Sequence, residues 1–127
     1  MPPVTQAIGI SVKEVTPGHV TFLLDAPEFL TNHLGFVAGG ILATALDSAL
    51  GCAALSALDA ALDIVTLDLT IDFLRPTHYG AGTLTIDADA VYVGRNRSLS
   101  TGRITGPDGK LVASGKSNCL IRAKQNT

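Results

Sequence analysis

A chain of 127 residues that is 46% hydrophobic has the apolar material for one domain with a proper core, spanning 1–127, and is too short for two ordinary ones. The formal net charge of -2 gives no general case for nucleic acid, but its sign is uneven, because residues 1–74 set Lys13 against eight acids and residues 75–127 set eight bases against Asp87, Asp89 and Asp108. Two cysteines, Cys52 and Cys119, give neither a disulfide framework nor metal-ligand spacing, and no basic region followed by an apolar run opens the chain. Packed thiols in a reducing, cytoplasmic setting are therefore expected.

In chain order, Ile8, Ile10 and Val12 alternate with smaller or polar residues, the turn residues Thr16-Pro17-Gly18-His19 follow, and Val20, Phe22 and Leu24 alternate again. This pattern predicts a first hairpin. Residues 29–37 form a connector, and Gly39-Gly40 mark the start of a helix that is expected to run to about Leu58 or Ala61. After the helix, Val65, Leu67, Leu69, Ile71 and Phe73 alternate with polar residues, the period of a strand with one wet face. Leu84, Ile86, Ala88, Ala90 and Tyr92 repeat the pattern. Residues 98–105 and 111–121 are two more candidate strands around the hairpin turn Gly106-Pro107-Asp108-Gly109, and Ala123 to Thr127 read as a frayed end. One long apolar helix and about six antiparallel strands predict an α+β fold with the sheet wrapped around the helix.

Asp47 is the only acidic or basic residue from Ile41 to Leu58. An unpaired buried carboxylate is costly, so such a group finds partners or serves a site. Residues three, four and seven positions away share its side of the helix, and of Gly40, Ala43, Thr44, Leu50, Gly51 and Ala54 all but Leu50 are small. Helix composition alone is equally served by close packing, with Asp47 bonded to a neighbouring strand. The run has the length of a short membrane span, but Asp47 at its centre and acidic Asp59 and Asp63 behind it argue against a membrane. His19, His33 and His78 lack metal-ligand spacing, and no Gly-x-Ser-x-Gly, P-loop or dinucleotide fingerprint is present, so neither a metal nor a separate cofactor is expected.

The whole run Asn32-x-x-Gly35-x-Val37-x-Gly39-Gly40-(x)6-Asp47-x-Ala49-x-Gly51 resembles the helix-start motif of hotdog-fold acyl-CoA thioesterases of the phenylacetate-pathway type. The resemblance continues more weakly through the strand ending Phe73-Leu74-Arg75-Pro76, through Gly94-Arg95-Asn96-Arg97, and through residues 108–115. It implies hydrolysis of an acyl- or aryl-acyl-CoA to the free acid and coenzyme A. The Gly39 amide, with Gly40 beside it, would polarise the carbonyl at a helix N-terminus. Asn32 would orient the thioester or water, and Asp47 would act as general base or as nucleophile. Thr66 matches a position where some relatives hold the attacking water, although a threonine on a polar strand face needs no such role. Most relatives carry a histidine where this chain has Ala38, which motivates the alternative of a non-catalytic acyl-CoA-binding protein. Arg75, Arg95, Arg97 and Lys116 are the candidates for the phosphates of coenzyme A, and Phe29, Leu34 and Phe36 for the acyl group.

Gly39 and Asp47 are eight residues apart, about 12 Å along one helix, so both cannot touch a single thioester carbon. If both act on one substrate they come from two subunits. The resemblance accordingly implies a homodimer with shared sites, and a dimer of dimers.

Overall fold

The computed structural model describes residues 3–125. A short helix α1 (Pro3–Ala7) precedes the hairpin β1 (Ile10–Thr16) and β2 (His19–Leu24), and the long helix α2 (Gly39–Ser56) follows. The chain then runs through β3 (Leu62–Phe73), β4 (Leu84–Val93), β5 (Arg97–Thr105) and β6 (Leu111–Ala123). The strands form one antiparallel sheet in the order β1-β2-β4-β5-β6-β3, so β1 and β3 are its edges. Turn chemistry sets the hairpins where the sequence placed them. Gly18 takes φ +82° between β1 and β2, and Gly109 takes φ +79° in a loop closed by the Gly106 amide donating to Lys110 O at 2.9 Å.

α2 lies across the concave face, where Leu42, Ala45, Leu46, Ala49, Leu50 and Ala53 are buried against Phe22, Leu84, Ile86, Ile104 and Val112. Its length and apolarity would suffice to cross a membrane, and eight of its 18 residues are buried within the fold. α2 approaches the sheet closely at Gly102 of β5 and Gly115 of β6, which are cross-strand partners. A Cβ on Gly115 would come 2.8 Å from Leu46 Cδ2, and one on Gly102 would come 3.2 Å from Leu46 Cδ1 and 3.1 Å from Leu50 Cδ2. The paired glycines form a notch that receives Leu46. That contact fixes the rotation of α2 on the sheet.

The helix ends at Ser56, earlier than expected, because Ser56 Oγ accepts from Gly18 N at 2.9 Å and lies within bonding reach of the carbonyls of Ala53 and Thr16. Ile8 precedes the first strand instead of starting it, since α1 occupies residues 3–7. The tail is partly held: β6 continues through Ala123 and Lys124 N donates to Ala61 O at 3.0 Å, whereas residues 126 and 127 lie outside the described residues. The simple alternation read along β3 is also broken. A bulge between Thr66 and Asp68 inserts Leu67 as an extra residue. Leu69 and Ile71 pack on the helix side as expected, but Val65 and Leu67 are 38% and 49% exposed, and Thr66 faces α2. A second bulge between Ala90 and Tyr92 likewise breaks the pattern in β4 and leaves Tyr92 exposed.

The notch makes a stability prediction. Gly115→Ala should cost about 1–3 kcal/mol by overpacking, and Leu46→Ala about 2–5 kcal/mol by leaving a cavity. The double variant should lose less than the sum in urea unfolding, because Leu46→Ala relieves the contact of the new Cβ with Leu46 Cδ2, while its contact with Thr70 O at 2.9 Å remains.

Candidate functional site

The first turn of α2 opens onto a cavity of about 310 Å3 lined by Asn32, Phe36, Gly39, Leu42, Phe73 and Arg75 among others. Ala38 is the N-cap and supplies no side-chain hydrogen bond. The first amides to turn back are those of Ile41 and Leu42, both to Ala38 O, at 2.9 and 3.2 Å. The preceding amides of Gly39 and Gly40 are therefore available to an incoming anion or polarised carbonyl, at the positive end of the helix dipole. Packing does not demand glycine at either position. A Cβ on Gly39 would make ordinary contact with Phe73 at 3.6 Å, and one on Gly40 would meet nothing within 4 Å. The missing side chains leave space over the backbone.

Asn32 borders the same cavity. Its Oδ1 accepts from Leu34 N at 2.9 Å and Phe36 N at 3.1 Å, which fixes the amide orientation and holds the loop before the helix. The Nδ2 end is left as the donor. Gly35, at φ +81°, lets this loop turn against His78, whose ring stacks on Tyr79 and meets Phe36 edge-on.

Asp47 lies about two turns further along α2 and lines a different cavity, of about 220 Å3. It is half-buried, and Thr66 Oγ1 donates to its Oδ1 at 3.1 Å. The bulge in β3 produces this contact by turning Thr66 toward the helix. With its hydrogen committed to Asp47, the Thr66 hydroxyl retains lone pairs that can accept from a water beside the carboxylate. Thr5, Gly51, Cys52, Leu55, Asp63 and Ile64 complete most of the lining. None of these six was singled out as a site residue from the sequence. Gly51, four residues after Asp47, was the one with a periodicity signal.

The cavity around Asn32 and Gly39 and the one around Asp47 and Thr66 share no lining residue. The basic candidates are not gathered into one cluster either. Arg75 follows the end of β3 and pairs with Asp108 at 3.2 Å. The Asp108 carboxyl is held below its ordinary range by the Lys110 amide first and by Arg75. Arg97 begins β5 and Arg95 lies in the turn before it, whereas Lys116 pairs in register with Thr101, about 13 Å along the strand from Arg97. Of the aromatic and aliphatic candidates only Phe36 lines a cavity described here, for Phe29 and Leu34 are 78% and 62% exposed. Among the described residues no group of three or more His, Cys, Asp or Glu side chains could hold a metal. Burial pushes the Cys52 thiol above its ordinary range, which keeps it protonated near neutral pH and unsuited to act as a nucleophile.

A long apolar helix wrapped by a six-stranded antiparallel sheet is the hotdog thioesterase fold. Residues 34–113 match the thioesterase superfamily profile, and the chain belongs to that superfamily. A Halobacterium salinarum protein provisionally named an esterase is 40% identical over 92 residues, which are 68% of this chain and 59% of that protein; the chain thus matches less than two thirds of that relative's length. A thioesterase family protein of Silicibacter pomeroyi superposes with a TM-score of 0.90 at 26% identity, covering 97% of this chain and 91% of that one. A Streptococcus mutans protein solved with acetyl-CoA bound superposes with a TM-score of 0.84 at 25% identity, covering 93% and 92%.

The uncapped start of α2 gives a test. Ala38→Ser should raise stability by about 0.5–2 kcal/mol, because a serine hydroxyl accepts from an amide that now has no partner. It should lower thioester turnover only modestly, since the cap reaches the Gly40 amide and leaves that of Gly39 open. Thermal unfolding and a thiol-release assay on one preparation would read both effects.

Proposed function

We propose that the protein is an acyl-CoA thioesterase of the phenylacetate-pathway type, hydrolysing an acyl- or aryl-acyl-CoA to free acid and coenzyme A. Membership of the thioesterase superfamily and the acetyl-CoA bound to the Streptococcus mutans protein support the reaction and the substrate class. The observation that carries the reading is the pairing of Asp47 with Thr66 in one cavity and of Asn32 with the open Gly39 amide in another.

In this reading the thioester carbonyl oxygen takes hydrogen bonds from the Gly39 amide, with Gly40 beside it, and from Asn32 Nδ2. These donors stabilise the oxyanion that forms on attack. Asp47 has two routes. As general base it removes a proton from a water held by Thr66, the water oxygen bonds to the carbonyl carbon, and the C–S bond breaks to release the coenzyme A thiolate, which takes up a proton. As nucleophile its carboxylate displaces that thiolate to give a mixed anhydride, which water then hydrolyses. Arg75, Arg95, Arg97 and Lys116 are proposed for the phosphates, with Arg75 free to exchange its exposed partner Asp108 for a stronger anion.

Asn32 and Gly39 of one subunit act with Asp47 and Thr66 of another, because about 12 Å of helix separates the two sets. The edge strand β3 is the natural seam of such a homodimer. It is unpaired on one side, and it carries exposed Val65 and Leu67 with Phe73 at its end. A further pairing of dimers is proposed on resemblance alone. Ala38 favours a second reading, a binding protein without turnover, and release of free thiol from a panel of CoA thioesters separates the two.

Asp47→Asn keeps the shape and removes the basic oxygen, so it should lower kcat by at least about a hundredfold while a non-hydrolysable thioether still binds. Near-normal turnover would refute the role of Asp47. Heterodimers purified by two tags from co-expressed Asp47→Asn and Asn32→Ala chains should regain activity that neither parent has, because one of their two sites is then intact. Mixed dimers as inactive as the parents would refute the shared site.

A further inference from the structure

We propose that His78 is a positioning residue for the reaction, its ring set against Gly35 and Phe36 so that it seats the loop that aims Asn32 at the thioester carbonyl. The kinetic part of this rests on the thioesterase reading above.

Asn32 is exposed, and its orientation is set within its own loop. Its backbone amide donates to Phe36 O at 2.8 Å, and its Oδ1 accepts from the Leu34 and Phe36 amides. Asn32 therefore moves with Phe36, and whatever seats Phe36 aims the Nδ2 donor. The seat is the connector between β3 and β4. It is tied to the sheet where the Leu74 and Arg75 amides donate to Val112 O at 2.8 and 3.3 Å. Two backbone bonds then join it to the loop, from Val37 N to Thr77 O at 2.8 Å and from Tyr79 N to Gly35 O at 3.3 Å.

His78 adds the side-chain part of this contact. Its ring meets that of Phe36 edge-on, with 6.3 Å between centroids and 85° between planes, and stacks on Tyr79 at 4.8 Å. Gly35 makes room for it, since a Cβ there would stand 3.0 Å from His78 Nε2. The ring thus fills the space that the glycine leaves open. Its rotation is fixed by Nδ1, which accepts from the Gly80 amide at 3.3 Å. His78 lines the neighbouring depression of about 190 Å3 and does not line the Asn32 cavity, whereas Phe36 does. It acts on the reaction through Phe36 and Asn32, without touching the substrate.

Two substitutions separate the ring from the cap that it also forms. His78→Asn keeps an acceptor for the Gly80 amide and loses the ring, whereas His78→Phe keeps the ring and loses the acceptor. His78→Asn should lower kcat about three- to tenfold with KM held within about twofold, because one edge-on contact is lost and the two backbone bonds to the connector stay. Hydrogen exchange of the Leu34 and Phe36 amides, followed by NMR, should quicken by a similar factor. His78→Phe should restore both readouts to near the wild type. A purely structural cap reverses the order, with His78→Phe losing thermal stability and His78→Asn unaffected. That pattern would overturn the proposal, as would equal losses in both variants, or quickened exchange with kcat unmoved. Quickened exchange in His78→Asn, in a protein that releases thiol from no CoA thioester, would uphold the seating of the Asn32 loop and overturn the hydrolase reading instead.

Discussion

The seating of Leu46 in the notch between Gly102 and Gly115 is the contact on which the rest of the molecule depends. A helix lying on a sheet can rotate about its axis until a side chain finds a depression, and the paired glycines on adjacent strands make one. Once Leu46 is seated, the residue after it is turned by about 100° around the axis. That rotation brings Asp47 to the flank facing β3, where it meets Thr66. The same rotation sends Gly51 and Leu55 along that flank.

Stability has been left unused at the start of α2. Serine, threonine, aspartate or asparagine before the first turn would satisfy an amide and stabilise the helix, and Ala38 does neither. Alanine in place of Gly40 would narrow the unfolded ensemble without a clash, as nothing lies within 4 Å of its Cβ. A Cβ on Gly115 would collide with Leu46 Cδ2 and one on Gly102 with Asp87 O, so those glycines are required by packing. The glycines of the first turn are not, and the cost in helix stability is best explained by what an open backbone can bind.

The sequence was most legible where one pattern ran unbroken. Pro17-Gly18 and Asp108-Gly109 specify their turns, and the alanine-rich run from Ile41 specifies a buried helix with a single carboxylate. Legibility failed at the bulges, because one inserted residue reverses which side of a strand faces the core and leaves no mark in composition. Continued alternation through Leu67 would have put Thr66 in water. Its likeness to a water-holding threonine came from the motif, and only the bulge supplies the physical reason it reaches Asp47. The cavity walls were missed for a related reason. Thr5 comes from a five-residue helix too short to show a period, and Cys52 and Asp63 are brought together by the packing of α2 on β3, which no local pattern encodes.

Two independent features bear on assembly. The first is a distance, since a straight helix holds the Gly39 amide and the Asp47 carboxylate too far apart for one small reacting group. The second is an edge, since β3 is twelve residues long, has a partner on one side only among the described residues, and exposes Val65, Leu67 and Phe73 besides the charges of Asp68 and Asp72. Pairing β3 with a second copy would cover that edge and bring another α2 alongside the first, so the contact that removes the exposed edge would also supply the missing half of the site. An assembly by the opposite edge, β1, would leave β3 open and the two half-sites apart. On the thioesterase reading, burial and catalysis therefore favour the same interface.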